Sequence, residues 1–434
     1  MVSAGGTARE EVRLARVALG WLAEPGDLRL WMRVHEHGPV RVLRGLTAGE
    51  RERIVRRAAD GLLGDGVTAP GAADVRAGPG GDRGTGLDGR STGADLLRLA
   101  ERTLAVAGRL GARVVIPEDD EWPHQLDQLV TICDPTSRDP VERDAAPPLC
   151  LWVRGPWRLD QALDSAVAVV GARAATSYGV HVAREIGYGL AERGWTVVSG
   201  GAFGVDAHAH RGALAAGGVT VAVLACGIDR AYPASHAGLF DQIAEEGLLV
   251  SEWPPGAEPF RHRFLIRNRV IAAMARGTVV VEASARSGSL ATLRRAGQLG
   301  RHRMAVPGPV TSAMSVGCHE QLRDPEVHLV TGVPHILDLV GRIGTDLAAP
   351  ARGPERARDR LGPVEQRLLE ALLVRKPLPT EAVAARAGVG IRDAMRLLPD
   401  LADRGLARRR GDGYVLARDA GRPVADPGPA PAPS

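Results

Sequence analysis

At 434 residues, 44% of them hydrophobic, the chain has length for about three domains and enough apolar side chains for a real core. It has no apolar run of membrane-spanning length, no signal-like apolar stretch near its start and no CxxC pair among Cys133, Cys150, Cys226 and Cys318, which disfavours export, membrane insertion and a zinc centre and points to a reducing cytoplasm. A net charge of +4 and an isoelectric point near 9.1 permit a nucleic-acid partner without demanding one, and because Lys376 is the single lysine, arginine carries the positive charge.

From Glu10 to Leu46, apolar residues recur at helical spacing (Val12, Ala15, Leu19, Leu22, then Leu28, Leu30, Met32, Val34), interrupted at Pro25-Gly26 and Gly38-Pro39. Residues 1–60 therefore read as a small helical module. Residues 61–93 are glycine-rich and poor in apolar side chains, the composition of a flexible insertion. Helical pattern resumes at Ala94, followed by strand candidates at Arg113 to Ile116 and Leu149 to Val153. Val167 to Val170 is a β-branched run ending at Gly171, Tyr178 to Arg193 has helical spacing, and Thr196 to Val198 is a second strand ending in Ser199-Gly200-Gly201. Thr220 to Leu224, Leu248 to Ser251, Thr278 to Val281 and His302 to Val306 continue the alternation, so residues 94–343 are expected to form an α/β domain with a doubly wound, mostly parallel sheet. Residues 344–361 have linker composition. Within 362–418, helices at Pro363 to Val374, Pro379 to Ala387 and Arg392 to Arg404 precede Leu406 to Arg408 and Tyr414 to Leu416 around Gly411-Asp412-Gly413, the pattern of a winged helix-turn-helix; 419–434 is a proline- and alanine-rich tail. A DNA-binding version would direct Arg392 and Arg396 to a groove with Arg408, Arg409 and Arg410 on the wing; a protein-interaction version stands equally open.

A parallel sheet sets the two glycine turns at neighbouring strand ends, where open α/β folds bind ligands. Gly171, Gly200, Gly201 and Gly204 allow close backbone approach to an anion, and Arg173 offers a planar fork for phosphate. Neither GxGxxG nor GxxxxGK[ST] is present. Arg267-Asn268-Arg269, read as opening an apolar helix, is suited to gripping a phosphate and a base edge, and Glu282 to Thr292 brings Ser287 and Gly288 to a third strand end. Phe203 either stacks on a base or packs beneath its loop. Asp206 stands at a helix start, and His208 and His210, two apart, cannot share one helical face, so a loop-fixing role is favoured over a metal.

GARAATSYG, SGGAFGVDAHAH, SEWPPG, RNRVIAA, VVVEASARSGSLAT, VPG and GCHEQL, in this order, resemble the DNA-processing protein A (DprA, or Smf) family over about residues 100–340. The resemblance implies an extended Rossmann-like fold, often flanked by a sterile-alpha-motif-like N-terminal module and a C-terminal winged helix. It further implies a homodimer that binds single-stranded DNA without cleaving it, protects it and helps load RecA recombinase during natural transformation; with no hydrolase or NTPase motif in the sequence, no enzymatic activity, cofactor or metal is expected. Its phosphate pocket would comprise Gly171, Arg173, Ser199, Gly200, Gly201, Gly204, Arg267, Asn268 and Arg269. Phe203 stands where the family commonly carries a basic residue, and His319 where many members have asparagine. Two rival readings stay open. A nucleotide phosphoribohydrolase of the lysine-decarboxylase-like group would need a glutamate after its glycine turn, where Arg294 and Arg295 stand here with Glu282 one turn earlier. A winged-helix regulator would bind duplex in a sequence-specific way.

Overall fold

A computed structural model of the chain describes residues 3–63, 92–138, 143, 145–342, 358 and 361–417. Most of the glycine-rich insertion, all but two positions of the 344–361 linker and the whole 419–434 tail lie outside the described residues. The chain divides into two units, Met1–Leu347 and Ala348–Ser434.

The larger unit is built on nine strands: β1 Ala112–Val115, β2 Leu151–Arg154, β3 Ala166–Val170, β4 Thr196–Ser199, β5 Thr220–Val223, β6 Leu248–Ser251, β7 Gly277–Val280, β8 His302–Ala305 and β9 Val327–Leu329. They lie in the order β1-β2-β6-β5-β4-β3-β7-β8-β9. From β6 to β9 every pairing is parallel, while β2 joins β6 antiparallel and carries β1. The central strands β3 to β7 are buried at every position, which is why they read as continuous apolar runs and not as alternation. Each of β1 to β8 overlaps a predicted strand, with ends within two residues. Only β9, three residues with His328 and Leu329 exposed, escaped the sequence pattern. The chain winds from β3 outward to β6 and then crosses back to place β7 on the other side of β3. That reversal is the topological switch point, where strand ends part and leave a crevice.

Helices Ser3–Leu19, Leu28–His37, Pro39–Arg44 and Ala48–Leu63, together with Gly93–Arg109, cover one end of the sheet. Their apolar faces share a single cluster with Leu224, Phe240 and Leu249, so the helical module is continuous with the sheet core. Ion pairs reinforce the seam, among them Arg13 Nη2 with Asp119 Oδ1 at 2.6 Å. Arg16 binds Glu118 through Nε at 2.8 Å and Nη2 at 2.7 Å. Glu24 accepts from Trp253 Nε1 at 3.0 Å and from Arg263 Nε and Nη2 at 3.0 and 2.7 Å, while the Arg263 guanidinium lies 5.5 Å from the Trp253 ring and 4.9 Å from Phe260.

The second unit has helices Pro363–Ala371, Thr380–Ala387 and Ile391–Asp403 and three antiparallel strands, β10 Leu378–Pro379, β11 Ala407–Arg410 and β12 Gly413–Leu416, in the order β10-β12-β11. Leu368, Val383, Leu398, Leu401, Leu406 and Tyr414 give it a core of its own. Gly388 ends the second helix in the left-handed region at φ 62°, a conformation that favours glycine. Among the described residues, no helix is long and apolar enough to cross a membrane.

Candidate nucleic-acid interface

At the switch point, the ends of β3 and β7 and one face of helix Arg261–Ala273 enclose an open cleft of about 330 Å³. Gly171, Arg173, Arg267, Asn268, Ser287 and Gly288 all line it, so the structure brings together residues from three separate sequence motifs. Arg173 stands exposed at the mouth, its guanidinium 5.1 Å from the Phe264 ring. Asn268 is buried against the floor and ties the walls together: Nδ2 donates to Gly288 O at 3.3 Å and Oδ1 accepts from Arg267 Nε at 3.2 Å. On the far wall the Ser287 and Ser289 hydroxyls lie 2.7 Å apart, ahead of helix Ser289–Gln298.

The turn after β4 is a different kind of place. Ser199 is fully buried and donates to Val169 O at 2.6 Å, bracing β4 against β3. The amide of Gly200 donates to Asp206 Oδ2 at 3.2 Å, and its carbonyl accepts from Arg267 Nη1 at 2.9 Å. A side chain at Gly200 would meet that guanidinium at 2.4 Å, so glycine is required there by Arg267. Arg267 Nη1 also bonds Val223 O, linking the ends of β4 and β5. Gly201, with φ +65°, lies with its carbonyl 3.0 Å from His236 Nδ1. Gly204 has φ +75° and a Cβ there would come 2.2 Å from Ala172 O, so the two glycine turns touch through backbone alone.

Asp206, read from sequence as structural or loop-fixing, fixes the turn and also lines the cleft, a place the sequence reading did not assign to it. It is 6% exposed, lines the cleft and gathers the backbone amides of Ala202, Gly200 and Gly171. Burial raises its pKa, opposed by Arg267 and by those amides. Burial likewise pushes Arg267 down to about 10, countered by Asp206, so the guanidinium stays charged at neutral pH. The sequence signal was present, an acid in the first turn of helix Val205–Ala215, but helix capping accounted for it too readily.

Arg269 does not reach the cleft. It is 1% exposed and pairs with buried Glu252 at 2.6 Å. The Arg267-Asn268-Arg269 run also does not open its helix: the helix begins at Arg261, nearly two turns earlier. The segment RHRFLI has too many polar positions to show a periodic apolar face, which concealed that start. Phe203 is 47% exposed, its ring edge-on to His236 at 4.7 Å, outside the cleft lining. Glu282 is buried and also outside it: Oε2 accepts from Thr176 N at 2.9 Å and Oε1 from Thr176 Oγ1 at 2.6 Å, fixing the start of helix Ser177–Ala191. His210 is buried, its Nδ1 2.7 Å from Thr220 Oγ1, and burial lowers its pKa to about 3. Among the described residues no three His, Cys, Asp or Glu side chains are grouped to hold a metal. His319 Nε2 lies 3.0 Å from Gly308 O.

A profile of the family described as DNA recombination-mediator protein A matches residues 113–341. A DNA processing protein DprA of Mycobacterium tuberculosis is 46% identical over 318 residues, covering 73% of this chain and 80% of that protein. Protein Smf of Escherichia coli is 36% identical over 261 residues, 58% of this chain and 68% of that protein. The crystal structure of DNA processing protein A from Streptococcus pneumoniae superposes with a TM-score of 0.52 at 27% identity, over 76% of this chain and 97% of that one. The matched span contains all of the nine-stranded sheet but Ala112, together with the switch-point cleft and every candidate site residue, and the chain belongs to the DNA recombination-mediator protein A family, whose members are named DprA and Smf.

Proposed function

We propose that this chain binds single-stranded DNA across the switch-point cleft and holds it without cleaving it. The observation that carries this reading is the exposed Arg173 guanidinium at the mouth of an open cleft whose deeper charges, Arg267 and Asp206, are already engaged with each other and with backbone. An exposed cation beside an aromatic ring, ahead of a polar wall of Ser287, Gly288 and Ser289, suits a passing phosphate and a splayed base. Phe203, near the same strand ends and half exposed, is a second stacking surface. Helping to load RecA recombinase, protecting the strand and acting as a homodimer complete the reading, all drawn from the family resemblance, in the cytoplasm expected from the cysteine pattern.

Glu282 is committed to Thr176, which counts against the rival hydrolase reading. The test is anisotropy of a labelled oligothymidine against a duplex of equal length through a salt titration, with base release from nucleoside monophosphates measured in parallel. Preference for the single strand, affinity falling steeply with salt and a loss of about tenfold or more in Arg173→Ala are the expected results. Equal affinity for duplex in a chain lacking its second unit, an indifferent Arg173→Ala, or released base would overturn the reading.

A further inference from the structure

The second unit distributes its charge unevenly. Helix Ile391–Asp403 carries Arg392 and Arg396 but also Asp393, Asp400 and Asp403. Arg396 lies 3.7 Å from Asp393, and Arg404, just beyond the helix, pairs with Asp400 at 2.5 Å and Glu365 at 3.0 Å. The exposed face of this helix also holds Ile391 and Met395, at 41% and 64% exposure. Brought to a phosphate backbone, that face offers more carboxylates than guanidinium groups, together with bare apolar surface.

The hairpin is the opposite. Arg408, Arg409 and Arg410 are exposed, consecutive on β11, and in no ion pair among the described residues. β11 is an edge strand, and a two-residue turn, Gly411-Asp412, joins it to β12. On the other side of β12, exposed Arg375 and Lys376 lead into β10. Successive strand side chains point to opposite faces, so Arg408 and Arg410 project to one side of the hairpin and Arg409 to the other.

We propose that the second unit is a duplex-DNA contact that works through the Ala407–Leu416 hairpin, entering a groove edge-on, while helix Ile391–Asp403 stays off the DNA. A groove has phosphates on both walls, and a strand with arginines on both faces meets both. An acidic peptide lying along one side of the hairpin would engage one face only. Contacts to phosphate carry no sequence information, so this binding is indifferent to sequence. The inference does not rest on the single-strand reading of the cleft, since it concerns a different unit and a different form of DNA.

The experiment uses the full-length chain carrying Arg173→Ala, titrated with short duplexes of two unrelated sequences at several salt concentrations. Replacing Arg408, Arg409 and Arg410 together by alanine should weaken duplex binding by roughly tenfold or more and lower the log-log salt slope by about 3, at about 0.9 per phosphate contact. Arg392→Ala with Arg396→Ala should change affinity by less than about twofold, within the effect of ordinary surface substitutions. Arg409→Glu alone, with the rest of the hairpin intact, should also weaken binding, because it inverts one whole face. Thermal unfolding of each variant shows that the unit is still folded. A helix variant that loses more than the hairpin variant, an unchanged slope in the hairpin variant, or strong preference between the two sequences would overturn the proposal.

Discussion

The turns after β3 and after β4 carry similar letters, small residues around glycine, yet they differ in what they leave available. After β4, Ser199, Gly200, Gly201 and Asp206 bond to one another, to Arg267, to His236 or to the neighbouring strand β3. After β3, Gly171 is closed off by Val205 and by Asp206, which takes its amide, but beyond it Arg173 reaches solvent over Phe264. In the proposed function the first turn meets the strand and the second holds that turn in place. A buried corner with satisfied polar groups is scaffold, however much its sequence resembles a phosphate loop.

Four measurements can break or sharpen that contrast. Asp206→Ala should have the largest effect: it leaves Arg267 buried beside freed amides, and removing one partner of such a pair costs about 3–5 kcal/mol in urea unfolding. Unchanged stability would make the second turn a ligand site after all. Next is a pH effect behind the same turn. The folded chain keeps His210 neutral down to about 3 while the unfolded ring titrates near 6.5, so the contribution of the neutral ring is complete above 6.5 and is lost as pH falls toward 3. His210→Leu should flatten the fall in unfolding midpoint across that window. Arg173→Ala should weaken single-strand affinity by about 1.5–3 kcal/mol, the range for a charged hydrogen bond, while moving stability by less than about 0.5 kcal/mol. The smallest effect belongs to Thr176→Ala, about 1 kcal/mol of stability, because Thr176 caps helix Ser177–Ala191 and binds Glu282, away from the cleft lining.

How much of this was legible follows from what a one-dimensional pattern records. Strands buried on both faces announce themselves as β-branched runs, so β3 to β7 and their alternation with helices could be read directly. The glycine turns and the serine-rich wall were visible for the same reason, since small residues punctuate strand ends. Burial was not. Arg173, Arg267 and Arg269 are the same letter, and only the third dimension makes the first exposed, the second a bond between strand ends and the third half of a sealed ion pair with Glu252. Asp206 was underread because its local role as a first-turn acid hid the amides it gathers, Gly200 and Ala202 from the turn just before it and Gly171 from a sequentially distant one. β9 and β10, at three and two residues, are too short to carry a period.

Glu24 has a consequence for how freely this architecture can be recombined. Its carboxylate holds Trp253 and Arg263, and Arg263 belongs to the helix that supplies Arg267 and Asn268 to the cleft floor. The N-terminal helices are therefore not a detachable accessory that a lineage could shed or exchange at no cost. A relative with a different module in front of the sheet must supply another carboxylate at that point, or replace Arg263 along with it.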